Sequence, residues 1–188
     1  MTAALKLEET TDFDLSEPRF ERIGSTEYAM GSPGYKHQIA AGRIFAQLDA
    51  QLSPHGCMTI VAPFDVYVLY EKGDQLSFVQ PDIFAACDRS KLKESRYNGA
   101  PRFIIEILSS KNRSHDMITK LNLYEKAGVS EYWMVDPHEQ LVSVLELVNG
   151  RYTYRNYSGE DEVQLTSIPG CSVDFKKVFD KSEEPEDS

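Results

Sequence analysis

The chain reads as an α/β protein: a mixed central β-sheet flanked by helices, with extra β-hairpins. Three observations predict this class. Segments 32–56 and 114–129 repeat their apolar residues at helical spacing. Segments 58–70, 76–88 and 101–110 are rich in β-branched and aromatic residues. A fourth strand, 131–137, follows the second helix directly, the layout of a right-handed parallel strand–helix–strand crossover.

Each element has its local reason. Residues 1–17 are polar and acidic and are expected to be a disordered tail. Residues 18–32 alternate weakly around Gly24 and Gly31, a small hairpin. In 32–56, Ile39, Ile44, Phe45, Leu48 and Leu52 share a stripe; Ser32 is the expected cap, and Pro54 and Gly56 the stop. The 58–70 strand carries Pro63 near its start, and a turn is expected in 71–75. Pro81 interrupts 76–88; lacking an amide proton, it marks an edge, a bulge or a strand start. Residues 88–101 read as a long charged loop. In 114–129 the stripe is Met117, Ile118, Leu121 and Tyr124, with Ser114 as cap, Asp116 at the positive helix end and Gly128 just past the last turn. Asn149-Gly150 between alternating segments signals a tight hairpin. One domain over 18–180 and an acidic, disordered tail over 181–188 complete the expected organisation.

Composition bounds the function. A chain of 188 residues suits about one domain, and 41% hydrophobic residues suit an ordinary globular core. No apolar run approaches the roughly 20 residues that cross a bilayer, and the N-terminus lacks a secretory apolar core. Cys57, Cys87 and Cys171 are widely spaced, without a CxxC pair. They are expected to be buried thiols in a reduced cytoplasm. The net charge of −10 argues against a global basic footprint for nucleic acid. Only a local patch could serve, and Arg89, Lys91, Lys93, Arg96, Arg102, Lys111 and Arg113 are its candidates, or else an ordinary solvated face.

The chemistry is carried by acids in apolar strands. In FIIEILSS, Glu106 shares a face with Ile104 and Leu108, while Phe103, Ile105 and Ile107 point the other way. Both faces are apolar, so the strand is expected to be central and covered on both sides. A buried carboxylate needs a partner: a base, hydrogen-bond donors or a metal ion. Asp82, between Pro81 and an apolar run, stands in a similar setting. Two such carboxylates at one cleft would suit Mg²⁺, which takes one or two protein carboxylates and keeps room for water and phosphate. The alternatives are a structural pair of Glu106 with Lys120 or Arg102, a turn role for Asp82, and an Asp116–Lys120 surface pair. Ser109 has no His–Asp partner pattern for serine catalysis. Trp133 and Tyr132 read as core, and Asp136 as a turn residue.

At this point the chain resembles the Uma-type restriction-endonuclease family, a branch of the PD-(D/E)XK nuclease superfamily. The resemblance rests on QPDIFAACD, the Glu106-to-Ser109 strand, the Asp116–Lys120–Tyr124 helix and the block from Ala127 to Pro137. His37 and IPGCSVDF flank it, over roughly residues 18–180. It implies a restriction-endonuclease-like core and a metal-dependent endonuclease hydrolysing phosphodiester bonds, in DNA rather than RNA, with Mg²⁺ or Mn²⁺. It implies Asp82, Glu106 and the Ile107 backbone carbonyl as metal ligands, and a Lys assisting the water. The usual signature has that Lys two residues after the second acid, where this chain has Leu108. The role passes to Lys120, with Lys111 as runner-up. Asp65, His37 and Tyr124 are supporting candidates, Tyr124 as a residue holding Lys120. A homodimer is expected by analogy with enzymes that cut both strands, and specificity is expected from loops such as 88–100. The other readings are an inactive nucleic-acid-binding or regulatory module on the same fold, and a structural oligomer whose acids and Lys form a buried network.

Overall fold

The structure is a computed structural model that describes residues 19–68, 77–109 and 115–180, the side chains of 115–117 excepted. The two expected tails, the turn at 71–75, Ser114, Lys111 and the side chains of Asp116 and Met117 lie outside the described residues. β1 (Phe20–Ile23) and β2 (Thr26–Ala29) form the expected hairpin, with Gly24 at φ 61°. α1 (Tyr35–Leu52) begins after Gly34 rather than after Ser32, without a side-chain cap, and buries Ala40, Ile44, Leu48 and Leu52. A 3₁₀ turn at Ser53–His55 and Gly56 at φ 74° end it.

The two predicted strands that follow are each split at a proline. β3 (Met58–Val61) and β4 (Asp65–Val68) divide 58–70 around the cis Ala62–Pro63 bond. β5 (Ser77–Val79) and β6 (Ile83–Ala86) divide 76–88 around Pro81. At each break the chain crosses to another sheet. The charged 88–101 loop contains a 3₁₀ turn at Arg89–Lys91 and a short strand, β7 (Arg96–Asn98). Then come β8 (Phe103–Ile107), α2 (His115–Ala127) and β9 (Glu131–Asp136). β10 (Leu141–Val148) and β11 (Arg151–Ser158) close on Asn149 and Gly150, both at positive φ as a two-residue hairpin turn requires. β12 (Glu162–Gln164), β13 (Ser172–Asp174) and α3 (Phe175–Val178) finish the described chain.

The strands form a five-stranded sheet, β2-β1-β5-β4-β7, a six-stranded sheet, β11-β10-β9-β8-β6-β3, and the β12–β13 pair. The central strand β8 pairs antiparallel with β6 and parallel with β9, as the crossover predicts. Its two faces serve two cores. Phe103, Ile105 and Ile107 pack with α1, β13 and α3; Ile104 packs with Leu123 and Tyr124 of α2 and with Val66, Val68 and Val79 of the first sheet. Trp133 and Tyr132 are buried in one core each, as expected of core residues. On the outer face of the first sheet, Phe20, Phe78 and Tyr67 form a ring ladder topped by Arg22 and Arg96. That ladder turns the intervening Glu21 inward.

Two further expectations need correction. Ile118 is 65% exposed, so the buried stripe of α2 runs through Leu123 and Tyr124. Cys57 and Cys87 are joined as a disulfide, leaving Cys171 as the buried free thiol. The reason is register: Met58 faces Ala86 in the β3–β6 pair, so the next residues out lie opposite each other. Among the described residues no helix is long and apolar enough to cross a membrane.

Candidate active site

The site forms where β8 ends, beside the crossover that leads into β6. Asp82 stands in that crossover, one residue before β6. Its Oδ2 accepts the Ile107 backbone N–H at 2.7 Å and lies 3.1 Å from His37 Nε2 on α1. The break at Pro81 lets the chain present Asp82 across the end of β8 instead of within a ladder. His37 gives up solvation on burial, which lowers its proton affinity. The Asp82 hydrogen bond and charge, the Glu106 charge and a bond to the Ile107 backbone outweigh that and hold its pKa above the usual value.

Glu106 lies on β8 with its face toward α2 and is 8% exposed. Its Oε1 accepts from Tyr124 Oη at 2.7 Å and from Lys120 Nζ at 3.0 Å. Lys120 and Tyr124 are four residues apart on α2 and share one face. Burial pushes the Glu106 carboxyl up to about 7; Lys120 opposes this, Asp82 and Glu21 add to it, and Tyr124 opposes it. Lys120 sits 3.0 Å from a second carboxylate as well, Oε1 of Glu21 on β1. Burial lowers the proton affinity of Lys120, but the two carboxylates outweigh it and hold the ammonium well above its ordinary pKa. Glu21 Oε1 also accepts the Gln80 backbone N–H at 2.7 Å.

Asp82, Glu106, Lys120, Tyr124 and His37 are thus drawn together through these bonds. Asp65 is one step removed: it accepts from Gln80 Nε2 at 2.8 Å, and among the described residues no hydrogen bond joins it to either site acid. Tyr124 bonds the same Glu106 oxygen that accepts from Lys120. Ile107 meets Asp82 through its N–H. Glu21 is the site residue that pattern reading missed. Its signal was the alternation of β1, which places an acid on the inward face of a hairpin whose neighbours face out. Asp136 is a turn residue, accepting from the amides of His138 and Glu139.

Asp82 Oδ1 and Glu106 Oε2 take no hydrogen bond from the described residues. Both are hard oxygen donors, and two carboxylates, Glu21 and Glu106, share the Lys120 ammonium, so the free oxygens suit a divalent cation. The donor set is small: among the described residues no cluster of three or more His, Cys, Asp or Glu is arranged to hold a metal ion.

The site thus sets an acid just before one strand, an acid within the neighbouring strand and a lysine on a helix of a split-sheet α/β fold. A crystal structure described as "a putative nuclease belonging to DUF820 from Anabaena variabilis ATCC 29413" shares the fold, with a TM-score of 0.71 and 19% identity, over 86% of this chain and 90% of that chain. Residues 5–176 match the Uma2 family, described as "Putative restriction endonuclease", and the chain belongs to that family. No curated protein matches it.

Proposed function

We propose that the protein is a metal-dependent endonuclease that hydrolyses phosphodiester bonds, with DNA as its substrate and Mg²⁺, or Mn²⁺, as its cation. Asp82 and Glu106 would hold the ion, with the Ile107 carbonyl as a further ligand. The observation that carries this reading is Lys120 Nζ at 3.0 Å from Glu106, which supplies from α2 the cation that Leu108 cannot. When bound, the ion supplies Lewis acidity and lowers the pKa of a water. The chain does the rest. Ile107 N–H and His37 fix one oxygen of Asp82, and Tyr124 fixes one oxygen of Glu106, leaving the other oxygens free to ligate. Lys120, held protonated by two carboxylates, acts as a hydrogen-bond donor and a positive charge beside the phosphate, not as a base. Cutting both strands of a duplex calls for two sites, which a homodimer supplies.

The test is cleavage of plasmid, linear duplex, single-stranded DNA and RNA with Mg²⁺, Mn²⁺ or EDTA. Wild type is compared with Asp82→Asn, Glu106→Gln and Lys120→Ala. Metal-dependent cleavage lost in all three variants supports the site; cleavage that survives Glu106→Gln sinks it. One observation favours a second reading, a structural role in which the acids and Lys120 form a buried network without catalysis. Lys120 already bridges Glu21 and Glu106 and could complete a salt-bridge network without an ion. Calorimetry separates the two, since that network would take up no Mg²⁺.

A further inference from the structure

We infer that Glu21 is a positioning residue that keeps Lys120 in place once Glu106 is engaged by the cation. The inference rests on the metal-dependent reading above and deepens it. Lys120 Nζ stands 3.0 Å from Glu21 Oε1 and 3.0 Å from Glu106 Oε1, the two carboxylates approaching from different sheets. Glu21 is 6% exposed and is held by the first sheet itself, through the Gln80 backbone N–H at 2.7 Å. Gln80 is tied in turn to Asp65. The position of Glu21 therefore does not depend on what Glu106 ligates.

Charge makes the second carboxylate informative. A buried lysine needs one carboxylate for neutrality, and a second leaves uncompensated negative charge at a desolvation cost. A purely structural bridge would be better served by one partner. With a cation on Glu106, however, the attraction of Glu106 for Lys120 falls. The four-carbon lysine stem is flexible and loses its place unless another anion holds it. Glu21 is that anion, and among the described residues it pairs with no other cation. Tyr124 then keeps Glu106 oriented while Glu21 keeps Lys120 oriented.

The test uses the full chain carrying Glu21→Gln, which keeps an acceptor for the Gln80 amide but removes the charge, and Glu21→Asp, which keeps the charge. Lys120 is watched by ¹³C–¹⁵N correlation of lysine ammonium groups, with and without Mg²⁺. In wild type the signal stays ordered in both states. In Glu21→Gln it stays ordered without Mg²⁺, where Glu106 still holds it, and is lost when Mg²⁺ is added. Glu21→Asp retains it. In cleavage assays Glu21→Gln lowers kcat by about tenfold or more with KM within about twofold, as expected for loss of charge stabilisation in the transition state, and Glu21→Asp recovers part of the loss. An ordered Lys120 signal in Mg²⁺-loaded Glu21→Gln overturns the inference. If Glu21→Gln does not fold, loss of the Mg²⁺-loaded signal in Glu21→Asp overturns it instead. Wild type that binds Mg²⁺ but cuts nothing overturns the nuclease reading alone, and the spectra still decide Glu21. Wild type that binds no Mg²⁺ overturns both.

Discussion

Glu106 and Glu131 are both buried glutamates on adjacent strands, with 8% and 0% exposure, and their partners give them different work. Glu131 accepts from Trp133 Nε1 at 2.7 Å and from the Ser167 amide at 2.8 Å, both fixed donors of the fold. Glu131→Ala orphans two buried donors and should cost about 2–4 kcal/mol in urea unfolding, while cleavage per folded molecule stays unchanged. Glu106 should show the opposite profile, with Mg²⁺ binding lost in Glu106→Gln and little loss of stability. Its carboxyl moves from an ordinary value of 4.5 to about 7. Between those pH values the folded state keeps a proton that the unfolded chain has released. This group therefore lowers the stability of the metal-free protein as pH rises through that window. Glu106→Gln should flatten that part of a stability–pH profile. The same proton competes with the cation, so Mg²⁺ affinity measured by calorimetry should rise about tenfold per pH unit up to about 7 and then level off. Asp82, Glu106 and Lys120 were legible because acid, acid and lysine come in a fixed order on recognisable elements. For Glu21 the alternation of β1 signals an inward side chain but not its partner, because Lys120 on α2 is far away in sequence and no local period reports such a contact.

At the scale of elements, turn chemistry carried the most information. Asn149-Gly150 and Gly128 stand where their backbone demands, Gly128 at φ 82° just past α2. Nothing lies within 4 Å of where a Cβ on Gly128 would stand, so Gly128→Ala meets a backbone cost alone. It should lower unfolding stability by about 1–2 kcal/mol, seen as a shifted urea midpoint at unchanged slope. Pro81 reads as an interruption and Pro63 only as a residue near a strand start, and neither pattern reports the consequence. Pro63 and Pro81 do not weaken a strand; each hands the chain to the other sheet, and that partner choice is a tertiary matter. β7 reads as loop in the sequence because its three residues, Arg96–Asn98, carry no apolar period and are strand only by pairing with β4. In α2, apolarity misled at Ile118, which lies on the solvent side, while polar Lys120 turns inward to two buried acids.

For the whole molecule, the central sheet with helices against it was predicted from strand–helix–strand order, and β8 is covered on both faces as its composition requires. The second large sheet was not predicted, since β4 and β5 are fragments of segments that read as continuous strands, β7 reads as loop, and nothing local joins them to the β1–β2 hairpin. A cation bound only by the folded site must stabilise the entire fold by linkage. Mg²⁺ at about 100 times its dissociation constant should add about 2.7 kcal/mol to unfolding. Thermal melts should show a rise with Mg²⁺ that EDTA reverses and that Asp82→Asn abolishes. The alternation of the chain between sheets also governs divisibility. β3, β6 and β8 belong to one sheet while β4, β5 and β7, threaded between them, belong to the other, so no single cut yields two self-sufficient pieces. A nick at residues 99–101, between β7 and β8, would leave Glu21 and Asp82 on one fragment and Glu106 and Lys120 on the other. Neither half would carry the whole candidate site, and recovery of the site on mixing them would report reassembly of both sheets at once.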